Sequence, residues 1–148
     1  MRRPLTDGEC AMVAEMFGAS VDCACVTINA RKWWPLQPKN VVMAPDGHIW
    51  CHPDGALFRD DYSVASYNLQ ALFIHETTHV WQHQSGIYLP LRRHPFSRYR
   101  YTLTEGKPMR AYGLEQQAEI MAHAFLALSG GATPPSPQSP WRDAAAGL

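Results

Sequence analysis

His75-Glu76-Thr77-Thr78-His79 constrains this chain more than any other stretch, because two histidines and a glutamate at these offsets act together only on a helix. Histidines four apart sit about 6 Å apart along a helix axis and about 40° apart around it, so both imidazoles can reach one metal ion. Glu76 stands about 100° round from His75, beside such an ion. The fold must therefore hold a helix through residues 75–79 and a second element that completes the ligand set.

The surrounding pattern supports that helix. Leu69, Leu72, Phe73, Val80 and Trp81 recur at helical spacing between Ser66 and Gln84, and Gly86 ends the run. Glu76 falls inside this apolar stripe, where an unpaired carboxylate is costly to bury. One reading pairs Glu76 with an arginine and makes the histidines core residues. The functional reading makes Glu76 a general base at the edge of a partly dry cleft, with apolar neighbours raising its pKa. His83 extends the histidine row, but on an unbroken helix it lies about 12 Å from His75, too far to share an ion. It is read as a surface or supporting residue.

A chain of 148 residues is expected to form one domain with a core. Residues 1–130 are read as that domain and 131–148 as a Pro-rich flexible tail, from Thr133-Pro134-Pro135-Ser136-Pro137 onward. Thr6 to Glu9 fits a capping box for a first helix that stops at Gly18. Cys25 to Ala30 reads as a strand, and Val41 to Ala44 and His48 to Cys51 as two strands joined through Asp46-Gly47. The segment from Leu89 to Pro108 is an excursion with a short strand expected at Tyr99 to Leu103. A second long helix is predicted from Tyr112 to Leu128, closed by Gly130-Gly131. The predicted class is α+β: two principal helices carrying the metal site, packed on a small β-sheet.

Thirteen basic and thirteen acidic side chains cancel, which gives no reason to expect nucleic acid or a membrane as partner. Arg2 and Arg3 precede no apolar export signal, and no run approaches the roughly 18 apolar residues of a membrane span. The expectation is a soluble cytoplasmic protein, with export open only to a dedicated secretion machine that needs no signal peptide. The four cysteines, at 10, 23, 25 and 51, lack a disulfide framework's spacing and are read as reduced, with Cys23 and Cys25 on one face of a strand. Without a CxxC knuckle they make a poor second zinc site.

Glu115 and Glu119 lie four apart on the second helix and can supply the missing ligand, although charges at this spacing also suit a solvated face. Ala111, Ala118 and Ala122 on neighbouring positions would let the two helices approach closely. HExxH followed by a later helix with Glu115 and Glu119 resembles the gluzincins, the thermolysin-like zincins. The resemblance implies His75, His79 and Glu115 as zinc ligands, Glu76 as catalytic base, and Glu119 as the acid that hydrogen-bonds a ligand histidine. The reverse assignment, with Glu119 as ligand, stays open.

A broader similarity runs over residues 5 to 125. Leu5-Thr6, Gly8-Glu9, Phe17-Gly18, Met43-Ala44-Pro45, Gly47, Phe73-Ile74-His75-Glu76, His79-Val80-Trp81-Gln82 and Glu115-Gln116-Gln117-Ala118-Glu119 resemble the small bacterial Vgr-related zincin-like proteins, some associated with type VI secretion. This implies a minimal gluzincin fold but no known substrate; the predicted function is a zinc metallopeptidase that uses Zn2+ to hydrolyse peptide bonds of a peptide or protein substrate, with a secretion-system partner. The alternative is a zinc-stabilised, non-catalytic binding or effector-associated module. The stretch between the motifs is longer than in thermolysin-like enzymes and the second lobe is absent, so no specificity carries over.

Substrate-contacting groups are sought in the same excursion. Tyr99, Tyr101, Tyr112 and His94 are candidates for oxyanion stabilisation or substrate contact. Val41 to Ala44 or His48 to Cys51 are candidates for pairing with an extended peptide. Arg92, Arg93, Arg98, Arg100, Lys107 and Arg110, against Glu105 alone, form a basic segment read first as a solvated loop. A nucleic-acid surface there is the less favoured reading. Trp33-Trp34 is read first as packing, with an exposed interaction spot as the other reading, and not as a cofactor stack.

Overall fold

The structure is a computed structural model and describes residues 1–89 and 99–130. Among these are three α-helices, α1 (Asp7–Phe17), α2 (Tyr67–Gln84) and α3 (Leu114–Ser129). Four short strands, β1 (Arg2–Pro4), β2 (Thr27–Ala30), β3 (Val42–Met43) and β4 (Ile49–Cys51), form one sheet in the order β1-β2-β4-β3. The outer pairs are antiparallel and the central β2–β4 pair is parallel. This is the predicted α+β class. The expected Pro-rich tail at 131–148 lies outside the described residues.

The α1 start follows its sequence signal. The Thr6 hydroxyl accepts from the Glu9 N–H at 3.1 Å, and the Glu9 carboxylate accepts from the Thr6 N–H at 2.9 Å. Glu9 does more than cap: fully buried, it takes both Arg3 guanidinium nitrogens at 2.8 Å and the Tyr62 N–H at 2.8 Å. One carboxylate thus joins β1, α1 and the turn that leads into α2. Strand β1 had no sequence signal, since its three residues include a proline and show no alternation.

Several expected elements differ. Cys23–Cys25 forms a single 3-10 turn, with Asp22 accepting from the Ala24 N–H at 3.1 Å, so the two cysteines do not share a strand face. All four cysteines are free thiols, and burial with the nearby Cys10 pushes Cys23 up to about 12. Tyr99 to Leu103 is not a strand: the Gln116 amide donates to the Arg100 carbonyl at 2.8 Å, taking the place a neighbouring strand would have filled. Trp33 and Trp34 are 39% and 41% exposed and do not pack inside.

Helix α2 runs between the rest of the fold and α3. From Phe73 to Gln82 every residue is buried, so the helix has no solvated face at the motif. Thr77 and Thr78, the two variable positions of the motif, turn their hydroxyls back onto the Phe73 and Ile74 carbonyls at 2.7 and 2.9 Å. On α3, Ala118 and Ala122 are buried as the close approach requires, whereas Ala111 is exposed on a 3-10 turn before the helix. Core side chains from the other elements include Val13, Phe17, Ile28, Ile49 and Tyr62, the last stacked on Phe73 with ring centroids 5.5 Å apart.

Replacing Arg3 by Met should lower stability by about 3 kcal/mol, because it strands the Glu9 carboxylate in the interior. Urea denaturation checks this: a midpoint equal to wild type would mean that Glu9 does not depend on its arginine.

Candidate metal centre

Antiparallel packing brings α2 and α3 together residue by residue. His75 meets Glu119 and Glu115, His79 meets Glu115, and Gln82 meets Leu114 and Gln117. His75, His79 and Glu115 each offer one ligand atom, all within 4.8 Å of one another, close enough to hold a metal ion. Among the described residues this is the one such group of His, Cys, Asp and Glu. His83 is not part of it; its ring packs over Gly47, whose φ of 85° suits glycine.

The hydrogen bonds decide which imidazole nitrogens face the centre. Gln82 commits its amide N–H groups to the Leu114 carbonyl at 3.0 Å and Gln117 Oε1 at 2.9 Å, so its Oε1 must accept from His79 Nδ1 at 2.8 Å. Neutral His79 then presents a bare Nε2 lone pair. That buried atom has no hydrogen-bond partner and faces Glu115 Oε1 at 3.2 Å. On His75, Nδ1 lies 2.9 Å from Glu119 Oε1 and Nε2 lies 3.3 Å from Glu115 Oε2. Two imidazoles held with Nε2 inward around one buried carboxylate make an electron-rich hollow, and a cation is what such a hollow fits.

Burial opposes the His75 cation, but the hydrogen bonds it donates to Glu115 and Glu119 and the Glu76 charge outweigh it and raise the pKa to about 10. The same hydrogen bond from His75 lowers the Glu119 pKa against its own burial.

Sequence reasoning anticipated the three clustered residues and the contact from Glu119, and the geometry brings Glu115, not Glu119, against both histidines. It missed Gln82, which gives no motif signal because glutamine near a helix end is common. It also missed His123, 3.6 Å from Glu119 through Nε2 and 2.8 Å from the Tyr101 hydroxyl through Nδ1. Glu76 is 4% exposed, and its charge reaches both His75 and Cys51, whose thiol is raised mainly by burial.

The other candidates separate. Tyr99 stacks beside His75 with ring centroids 6.3 Å apart and is half exposed. Tyr101 is engaged with His123, and the buried Tyr112 accepts the Thr104 N–H at 2.9 Å. His94 and Arg92, Arg93 and Arg98 lie outside the described residues. Strand β4 is paired on both sides, so His48 to Cys51 offers no edge to a peptide; β3 is the edge strand on that side of the sheet and β1 the edge on the other. A cavity of about 560 Å³ lined by Trp81, Ser85, Arg110, Tyr112 and Glu115 borders the centre on the α3 side.

No family model matches the chain. The type VI secretion system spike protein VgrG2b of Pseudomonas aeruginosa is 39% identical over 134 residues, which is 84% of this chain and 13% of that protein. The solved effector domain of P. aeruginosa VgrG2b shares 35% identity with a TM-score of 0.82, over 98% of this chain and 82% of that one. The chain belongs to the VgrG2b effector-domain family. The Vgr resemblance drawn from the motifs is thereby established. In VgrG2b-type terms the chain corresponds to the effector portion and spans a small part of the full spike protein.

Two outcomes are expected at this centre. Gln82→Leu should weaken affinity for a divalent metal ion by about 10- to 100-fold without moving a ligand, as read by competition with a chromophoric chelator. Because the proton on His75 is held up to about pH 10 and must leave for a metal to bind, affinity should rise with pH across the neutral range. Calorimetry at pH 7 in buffers of different ionisation enthalpy should register proton release; buffer-independent heats would contradict this.

Proposed function

We propose that this chain is a zinc-dependent peptidase domain of gluzincin type, delivered to its target by a type VI secretion system. The observation that carries the reading is the convergence of two tautomer-locked imidazoles on Glu115 with Glu76 buried next to them on α2. His75, His79 and Glu115 are the proposed ligands, with Glu119 and Gln82 orienting the two rings. Bound zinc would supply Lewis acidity at an open coordination position.

The remaining chemistry belongs to the chain's own residues. Glu76 accepts the proton of the attacking water and passes it to the leaving nitrogen. Tyr99, beside His75, is the proposed contact to the substrate carbonyl or its oxyanion. An extended peptide is proposed to lie along β3, the edge strand on the β4 side. The substrate is a peptide or protein, and the secretion apparatus is the delivery partner suggested by the VgrG2b relationship.

A second reading is favoured by the burial of the three ligands between two helices. A metal there would tie α2 to α3, as in a metal-stabilised effector module without turnover. Glu76 separates the two, since binding a metal does not require it. Under the peptidase reading, Glu76→Gln keeps one zinc per chain and lowers cleavage of a peptide library by about 100- to 10,000-fold. Equal, negligible cleavage by the zinc-loaded wild type and variant would leave the non-catalytic module.

A further inference from the structure

The loop at residues 31–41, between β2 and β3, is built to present apolar side chains outward. Trp33, Trp34 and Leu36 are 39%, 41% and 74% exposed, and every residue from 31 to 40 is exposed apart from Gln37. That glutamine is the inner pin. Its Oε1 accepts the Trp33 N–H at 2.8 Å, and its Nε2 donates to the Val41 and Trp50 carbonyls at 2.9 and 3.1 Å. Behind the loop, a Cβ on Gly55 would collide with the Lys39 carbonyl, so the far limb is seated against the 52–55 turn. Pro35 and Pro38 stiffen the span further. A loop held from inside at these points does not expose two tryptophans for want of packing space.

Charge identifies the partner. Arg31, Lys32 and Lys39 flank the apolar tip, and residues 31–41 contain no acid, although the whole chain has no net charge. Lys32 folds back to the Pro35 carbonyl at 3.2 Å, which keeps its ammonium close to the tip. Tryptophan rings with an apolar body and a polar N–H suit the boundary between headgroups and acyl chains, and flanking cations suit anionic headgroups. A symmetric contact with a second copy would instead set the same cations against each other. No described helix is long and apolar enough to cross a membrane, so any such attachment is peripheral.

We propose that the 31–40 loop docks on an anionic lipid bilayer, with Trp33, Trp34 and Leu36 entering the interface and Arg31, Lys32 and Lys39 facing the headgroups. This attachment is independent of the metal centre and would hold the domain at a membrane surface. The test is flotation of the full chain with phosphatidylcholine vesicles, with and without phosphatidylglycerol, at low and high salt. Wild type should bind the anionic vesicles in a salt-sensitive way. Trp33→Ala/Trp34→Ala and Arg31→Glu/Lys32→Glu should each bind about tenfold or more weakly, with melting temperatures unchanged. Brominated lipids should quench wild-type fluorescence and spare that of the double tryptophan variant. Absence of phosphatidylglycerol-dependent binding overturns the proposal, as does equal binding by the variants. So does self-association in sedimentation velocity that the tryptophan variant abolishes while vesicles stay unbound.

Discussion

The approach of α3 to α2 is the contact on which the site depends. Buried alanines at 118 and 122 let the helices come close, and the antiparallel register sets Glu115 between His75 and His79 with Glu119 one turn further along. Moved by one residue, α3 would rotate Glu115 by about 100° and remove the third donor from the hollow. The Gln82–Gln117 hydrogen bond at 2.9 Å, buried at the same interface, is what holds that register. It also feeds the tautomer of His79, so packing specificity and metal chemistry share one side chain.

The buried motif carries an electrostatic consequence. Two imidazoles and three carboxylates meet where water is largely excluded, and a cation relieves their repulsion whether it is a metal ion or the proton on His75. A metal ion at the candidate centre would have to displace that proton. Far from this centre, the Arg3–Glu9 pair does comparable structural work with a resident cation, joining β1, α1 and the approach to α2.

The membership in the VgrG2b effector-domain family rests on similarity across nearly the whole chain and not on the motif alone. That breadth gives meaning to features outside the metal centre. The exposed Trp33-Trp34-Leu36 tip sits on a loop pinned by Gln37 and Gly55, a separate surface with its own structural support. The candidate metal centre between α2 and α3 and the exposed tip between β2 and β3 are thus separate places on the fold.

What the sequence determined by itself was local. A four-residue period placed two histidines on one helix face, Thr6 and Glu9 announced the start of α1, and the glycines at 18, 86 and 130 marked helix ends. Short-range geometry is written in spacing, so His75, His79 and the Glu115/Glu119 pair were legible before any fold was known. Tertiary structure decided what depends on partners distant in the chain. It chose Glu115 over Glu119 against both histidines, recruited Gln82 and His123, paired the proline-containing β1 as an edge strand, and left Tyr99 to Leu103 without a strand neighbour. It also turned Trp33 and Trp34 outward. The sequence leaves packing and exposure both open for this pair, and the fold decides between them: the buried amide of Gln37 occupies the inside of the loop and the two rings stand outside.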